Sequence, residues 1–201
     1  MSETLLGDRY LVQLSSDTRL FIVPDKAWYA EQTGDQMCAG CRRIDRSRHP
    51  APCNVYVRQL PQVLSSGIVA WCCVGVIRLD LLDLLRPHLS EFALGGITLE
   101  EVGEVSNHHS LYSGNFVPLR GGRGSSYCPC QVCGRSGIFT TEPYVLREEL
   151  PAGSVIQDDY CRLYLSSVLA RNFPWTSFPD IRPRLVPILD QEKDDDERPI
   201  L

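Results

Sequence analysis

The amino-acid sequence predicts an α+β fold of mostly antiparallel strands, with a pair of zinc knuckles and an amphipathic helix near the C-terminus. Three observations support this prediction: short runs of strand-forming residues between turn residues, two widely separated CxxC pairs, and one segment in which apolar residues recur with helical spacing. With 201 residues, of which 43% are hydrophobic and 22% charged, the chain can bury a core of its own. We expect one zinc-stapled globular domain over residues 1–189, with a long insertion between the two CxxC pairs.

The N-terminal quarter of the chain contains predicted strands followed by a polar loop. Residues 9–14 and 19–23 are rich in strand formers and flank a Ser-Ser-Asp sequence, which predicts a β-hairpin. Residues 33–52 are polar and contain several glycines and prolines, so we expect loop and turn there.

The middle of the chain contains one predicted strand and one predicted helix. Residues 67–77 form a compact run of β-branched and aromatic residues, which predicts a buried strand. Residues 79–86 predict a helix that Pro87 ends, because proline cannot continue the helical hydrogen-bond ladder. Between residues 88 and 127 the pattern is mixed, and it predicts no particular element.

The last part of the chain predicts the amphipathic helix, over residues 158–171. Asp158 and Asp159 suit its N-terminal end, because acidic side chains there interact favourably with the helix dipole. The apolar residues that follow helical spacing, and should therefore face a core, are Cys161, Tyr164, Leu165, Val168 and Leu169. Residues 185–189 predict a final edge strand, since Pro187 lacks the N–H that a central strand needs.

The charge of the chain is unevenly distributed. Of the formal net charge of −5, residues 190–201 contribute −4 through six acidic and two basic residues, so the rest of the chain is close to neutral. We expect this segment to be a disordered acidic tail. A near-neutral body has no general attraction to phosphate backbones or to anionic membranes.

The sequence gives no indication of export or of membrane insertion. The N-terminus lacks the basic region and apolar stretch of a secretory signal. The most apolar run, residues 67–85, is interrupted by Arg78, Asp80 and Asp83, so its uncharged stretch is too short for a bilayer of about 30 Å. We therefore expect a soluble, cytoplasmic protein without a membrane partner.

The cysteines carry the clearest chemical signal. There are nine, and in a reducing compartment clustered cysteines bind metal more often than they form disulfides. Cys38 and Cys41, like Cys130 and Cys133, have the two-residue spacing that lets both sulfurs of a tight turn reach one ion. Two such pairs supply the tetrahedral four-sulfur shell that zinc accepts at about 2.3 Å. The sequence therefore predicts one structural zinc ion held by all four cysteines.

A second set of ligands is also consistent with the sequence. Cys38, Cys41, His49 and Cys53 are spaced so that they alone would close a four-ligand site, which would leave Cys128 and the second pair for another role. Whether His49, Cys53 or Cys128 replaces one of the four proposed ligands stays open. The remaining cysteines lie in apolar contexts and are interpreted as core residues: Cys72, Cys73 and Cys161.

The residue patterns of the known catalytic sites that we considered are incomplete here. Residues 129–133 match the P-C-x-x-C half of a zinc-deaminase signature, but its H-x-E partner is missing. Neither CxxC pair precedes a helical pattern, as a thioredoxin-like redox site requires. His108 and His109 lie in a polar stretch and are interpreted as exposed surface. We therefore predict that the protein is not an enzyme.

Nucleic-acid binding is the alternative function. Residues 42–48 are basic and, with Arg120, Arg123 and Arg135, would form a positive patch if the two CxxC pairs meet. Solvated arginines with local acidic partners such as Asp45 explain the same residues better, because the body is near neutral and few aromatic residues lie among them.

The order of these features resembles the double-CXXCG proteins of bacteria, in which an early CxxC and a late CxxCG flank a long middle region. The likeness is best over residues 130–189. There, Cys133 is followed by Gly134, a strand-like segment, Leu150-Pro151, the predicted helix that begins at Asp158, and a closing run of Pro, Leu and Val. The first pair departs from the pattern, with Arg42 where the family has glycine. The resemblance implies an immunity protein of the myxobacterial type, which neutralises a cognate toxin by binding it and uses zinc structurally. An acidic tail would suit a basic toxin.

Overall fold

The described part of the chain contains two five-stranded sheets and two short α-helices. The computed structural model describes residues 9–16, 38, 55–57, 69–71, 74–99, 103–121, 131–132, 143–158 and 162–192. In spatial order, sheet 1 consists of β7 (Val145–Leu146), β10 (Ile181–Leu189), β1 (Tyr10–Ser16), β9 (Leu163–Leu165) and β8 (Val155–Gln157). Sheet 2 consists of β2 (Val55–Val57), β5 (Phe92–Leu99), β6 (Gly103–Ser113), β4 (Val74–Arg78) and β3 (Val69–Trp71). The helices are α1 (Leu79–Leu85) and α2 (Ser167–Asn172).

Antiparallel pairing dominates both sheets. Among the described strand pairs, β7 with β10 and β2 with β5 run parallel, and the others are antiparallel. This arrangement, with its few short helices, confirms the predicted α+β class for the described residues. Within the same ranges, no helix is both long enough and apolar enough to cross a membrane.

Strand β1 confirms the predicted N-terminal strand but not the hairpin. β1 pairs with β10 along Tyr10–Ser16 and, on its other edge, with β9 along Val12–Leu14. Both edges of Val12–Leu14 are therefore taken by strands from the C-terminal part of the chain, and a hairpin partner would need one of them. The partner predicted at residues 19–23 lies outside the described residues. The buried apolar residues of β1 point to both faces of the sheet: Leu11, Val12 and Leu14.

Sheet 1 is covered on both faces, and each face belongs to a different core. The main core joins both sheets and both helices, and its members include Leu14, Leu163, Ile77, Leu82, Leu111 and Ala170. The opposite face packs in a second core that includes Leu11, Tyr164, Val186, Val117 and Leu119. Sheet 1 is thus the central layer of the described structure.

Residues 67–77, predicted as one strand, contain two. β3 and β4 pair with Trp71 opposite Val74, which leaves Cys72 and Cys73 as the connection; these two cysteines lie outside the described residues. The predicted helix is confirmed, because α1 follows β4 directly and Pro87 stands in the 3-10 turn that succeeds it.

The helix predicted over residues 158–171 is wrong at Asp158 and over residues 162–166, which are not helical. Within the described residues, Leu163–Leu165 form β9 and only Ser167–Asn172 are helical. All three residues of β9 are buried, because sheet 1 is covered on both faces. A strand of this kind lacks the alternation of apolar and polar residues, so its apolar residues also match the spacing of a helix. Ser166 caps α2 by accepting a hydrogen bond from a backbone N–H of the first turn at 3.3 Å. Val168, predicted to face the core, is 59% exposed.

Strand β10 confirms the predicted final strand and extends it, but β10 is not the edge of the sheet along its whole length, because β7 pairs with Ile188 and Leu189. One side of β10 pairs with β1 along its length. Among the described strands, the other, outward side of β10 pairs only with β7, at Ile188 and Leu189. The Ile188 N–H donates to the Arg9 carbonyl at 2.7 Å, on the β1 side, so by strand alternation the amide positions of residues 183, 185 and 187 face outward. Pro183 and Pro187 therefore remove two of the three outward donors.

Ion pairs join the end of β10 to the rest of the domain. Arg147 Nε lies 2.6 Å from Asp190 Oδ1, and Arg120 Nη1 lies 3.4 Å from Glu192 Oε1. Asp190 and Glu192 belong to the segment predicted as the acidic tail, whose residues 193–201 lie outside the described residues. The ion pairs of Asp190 and Glu192 thus place the start of this segment against the domain, where the sequence predicts disorder.

Candidate functional site

Most of the predicted zinc ligands lie outside the described residues. Cys38 is described and is buried, with 6% of its surface exposed. Cys41, Cys130 and Cys133 lie outside, as do the alternative ligands His49, Cys53 and Cys128. Within the described ranges, no three His, Cys, Asp or Glu side chains form a group that could hold a metal ion. The four-sulfur site therefore stays a prediction.

Two residues inside the second CxxC pair are described. Gln131 and Val132 form a turn and are exposed, Val132 with 66% of its surface. In a zinc knuckle the chain turns tightly between the two cysteines, so that both sulfurs point at the ion and the intervening residues face away. The turn at Gln131 and Val132 fits this geometry, and the burial of Cys38 fits a ligand that is shielded from water.

The interpretation of His108 as exposed surface is wrong. β6 places His108 opposite Arg78 of β4, and only 2% of the residue is exposed. Between the pairs Gly95–Ser110 and Ile97–Val105, β5 advances by two residues and β6 by five, so β6 bulges at His108. The register with β4 is regular at His108, which therefore shares a face with the buried residues Ser110 and Val76. The polar local sequence does not indicate that this face is covered.

The surroundings of His108 keep its imidazole neutral. Nδ1 lies 2.7 Å from Asn107 Oδ1, and because an amide oxygen only accepts, Nδ1 carries the proton. Nε2 is buried and has no hydrogen-bond partner in the described part of the chain. Burial lowers the pKa of His108 below its ordinary value, and the nearby Arg78 guanidinium acts in the same direction.

The Arg78 guanidinium is itself held by Asp80. Arg78 Nε and Nη2 donate to the two Asp80 carboxylate oxygens at 2.7 and 2.6 Å. Asp80 Oδ1 also accepts the Leu81 N–H at 2.8 Å, in the first turn of α1. The hydrogen bond from Arg78 lowers the pKa of Asp80. This ion pair therefore fixes the junction between β4 and α1.

A buried ionic network that the sequence analysis missed lies at the end of β8. Asp158 is fully buried and accepts hydrogen bonds from Arg162 N at 2.8 Å, from Arg162 Nε at 2.6 Å and from the Tyr164 hydroxyl at 2.9 Å. Burial raises the pKa of Tyr164 well above its ordinary value, and the Asp158 carboxylate adds to this shift. The available signal was the two-residue spacing of Arg162 and Tyr164, which puts both side chains on one face of a strand.

Gln157, next to this network, links the two sheets. Its side chain is fully buried. Oε1 accepts the Ser113 N–H at 2.6 Å, and Nε2 donates to the Leu111 carbonyl at 3.2 Å. The side-chain amide of Gln157 therefore hydrogen-bonds to the backbone at the end of β6, where a neighbouring strand would otherwise do so.

The basic residues of the nucleic-acid alternative are described only at Arg120. Arg120 forms ion pairs with Glu149 and Glu192, which compensate its charge. Residues 42–48, Arg123 and Arg135 lie outside the described residues.

A pocket of about 210 Å³ lies between α1 and α2. Apolar side chains of both helices line it, among them Leu84 and Leu169, together with the polar residues His88 and Asn172. Sites for drug-sized ligands have volumes of roughly 300–1,000 Å³. The pocket is therefore too small to enclose a cofactor of nucleotide size.

Comparisons with family models, with curated proteins and with solved structures found no match to this chain. The likeness to double-CXXCG proteins therefore rests on the order of features in the sequence. Function has to be inferred from the residues of this chain.

Proposed function

We propose that this protein is a non-enzymatic, cytoplasmic binding protein, stapled by one structural zinc ion, that neutralises a cognate bacterial toxin by direct binding. The observation that carries the proposal is the presence of two CxxC pairs, Cys38 with Cys41 and Cys130 with Cys133, which together supply four thiolates. A four-sulfur site has no open coordination position. The ion would then act as a cross-link in the fold.

Two structural features support zinc binding at these cysteines. Cys38 is buried, and the residues between Cys130 and Cys133 form an exposed turn. The loop that the ion would close, residues 42–129, is long, and closing a long loop removes a large share of the freedom of the unfolded chain. A metal clasp at this position would therefore stabilise the domain.

The described polar groups support a binding role. Asp158, Gln157 and Asp80 are engaged in hydrogen bonds that hold strands and helices together. Toxin neutralisation needs a recognition surface and no reacting group, which agrees with the function implied by the resemblance to double-CXXCG proteins. The carboxylate partners of Arg120 weaken the nucleic-acid alternative, because they reduce the charge available to a phosphate.

Zinc content of purified variants tests the metal site. We expect Cys38→Ser and Cys130→Ser to lose stoichiometric zinc and His49→Ala to keep it. Cys161→Ser is the matched control, because it removes a thiol outside the proposed site. If Cys130→Ser kept its zinc while His49→Ala lost it, the alternative ligand set would be correct.

Co-expression with a candidate toxin encoded by a neighbouring gene tests the binding role. We expect restored growth and a complex that survives purification. A toxin that stays active and does not bind would refute toxin neutralisation. A salt-dependent affinity for DNA or RNA would instead support the nucleic-acid alternative.

A further inference from the structure

The middle of β6 is joined to sheet 2 along one edge only. The ladder between β5 and β6 skips residues 106–109, because these residues of β6 stand against Gly96 alone at the register shift. On the other edge, β4 pairs with two of them, at His108 and His109. Arg78, opposite His108, is the last residue of β4. Residues 106–109, called the β6 bulge below, therefore lie at the end of their ladder with β4, and their separation from the sheet would break only these two strand pairs.

His108 is the buried side chain of the β6 bulge. Only 2% of the residue is exposed, and it lies on the face of sheet 2 that also buries Val76 and Ser110. Its Nε2 is buried and has no hydrogen-bond partner among the described residues. Because Nδ1 carries the proton of the neutral ring toward Asn107, a second proton has to bind at Nε2. It would create a buried, charged donor without an acceptor, which costs far more than an unused lone pair.

The charged groups around His108 also disfavour its protonated form. The Arg78 guanidinium, from β4, repels an imidazolium more strongly than the Asp80 carboxylate at the start of α1 attracts it. His109, next in the chain, adds a weaker repulsion, and β5 has no titratable residue. The Asp180 carboxylate, just before β10, acts on Arg78. The hydrogen bond from Arg78 lowers the pKa of Asp80, so this carboxylate keeps its charge between about pH 5 and 7.

We infer that His108 is a pH-sensitive switch: its neutral imidazole keeps the β6 bulge against β4, and protonation at Nε2 releases residues 106–109 while both sheets stay folded. Release lets the imidazolium reach water and breaks two strand pairs at the end of a ladder. The closed bulge binds the proton weakly, whereas in the open bulge His108 has an ordinary pKa of about 6.5. Opening therefore becomes more favourable as the pH falls below about 6.5. This switch goes beyond the proposed function, because it requires no partner.

Hydrogen exchange of the backbone amides in the full-length protein tests this inference. Rates are measured at about pH 7.5 and about pH 5.5 and corrected for the intrinsic pH dependence of exchange. We expect the protection of amides 106–109 to fall about tenfold between these two conditions, because opening is coupled to one proton, while the amides of β1 keep their protection. The fall should be absent in His108→Gln, whose side chain stays neutral. The matched control is His88→Gln, which removes an exposed imidazole and should behave like the wild type.

Three results of the exchange measurement would overturn the inference. Unchanged protection of amides 106–109 would show that the bulge does not open. An equal fall in β1 would show that the whole domain unfolds. A fall that persists in His108→Gln would assign the effect to another group, including any loss of metal at the lower pH.

An NMR titration of the wild type keeps the inference testable if His108→Gln fails to fold. The chemical shift of the His108 ring should change over the same pH range in which amides 106–109 lose protection. A ring that becomes protonated while these amides stay protected would overturn the inference.

Discussion

Removal of the Asp158 carboxylate should destabilise the protein by about 3 kcal/mol. Asp158 is fully buried, and within the described residues it accepts hydrogen bonds from Arg162 N, Arg162 Nε and the Tyr164 hydroxyl. In Asp158→Ala the Tyr164 hydroxyl becomes a buried donor without this acceptor, and the Arg162 guanidinium loses the Asp158 carboxylate as a counter-charge. Breaking a buried ion pair from one side costs about 3–5 kcal/mol. We expect the lower value because 24% of the Arg162 side chain is exposed and can be hydrated.

Urea unfolding, followed by tryptophan fluorescence, measures this loss. With an m-value near 3 kcal/mol/M, the midpoint of Asp158→Ala should fall by about 1 M. Tyr164→Phe removes one donor and leaves the ion pair, so it should cost about 1 kcal/mol. Asp190→Ala is the matched control, because it breaks an exposed ion pair with Arg147. The side chain of Arg147 is 47% exposed and that of Asp190 is 78% exposed. Exposed ion pairs contribute little to stability, so the expected cost is below about 0.5 kcal/mol. Equal losses in Asp158→Ala and Asp190→Ala would refute the reasoning.

Three further predictions concern single side chains. Gln157→Leu should cost about 2–3 kcal/mol in urea unfolding, because the Ser113 N–H and the Leu111 carbonyl lose a buried partner; a cost below about 1 kcal/mol would contradict this role. The free energy of unfolding should fall as the pH is lowered below about 6.5, by up to about 1.4 kcal/mol per pH unit. The reason is that the pKa of His108 is lowered in the folded protein, so its imidazole takes up a proton more readily in the unfolded chain. His108→Gln should flatten that part of the stability profile, and an unchanged slope would exclude His108 as its source. Ser166→Ala should remove the cap of α2 and lower Tm by about 2–4 °C in calorimetry, whereas an unchanged Tm would show that the cap contributes nothing.

The elements that the sequence predicts correctly have local causes. Pro87 ends α1 through its own missing N–H, and Pro187 for the same reason has no donor on the outward side of β10, where β7 pairs only from Ile188 onward. β1 is recognisable as a strand from its composition. Its neighbours β9 and β10 are more than a hundred residues away in the sequence, and such pairing leaves no local trace.

The failures arise where tertiary structure decides the environment. Leu163–Leu165 are buried on both faces of sheet 1, so the alternation that identifies a strand is missing. His108 is buried because it lies on the face of sheet 2 that also buries Ser110 and Val76, and the polar residues beside it in the sequence give no indication that this face is covered. The cysteine pairs differ from β9 and His108, because the spacing of metal ligands can be recognised in the sequence before the fold is known. Cys38 is the one member of that set within the described residues.

The prolines of β10 also affect how copies of the protein behave toward each other. An exposed strand edge offers unpaired N–H and C=O groups to the same strand of a second molecule, and repeated contacts of this kind produce aggregates. Pro183 and Pro187 withhold two of the three outward donors of this edge, so a second copy cannot form a continuous ladder along it. Concentrated solutions of this protein should therefore not aggregate by strand pairing along residues 183–187 of β10.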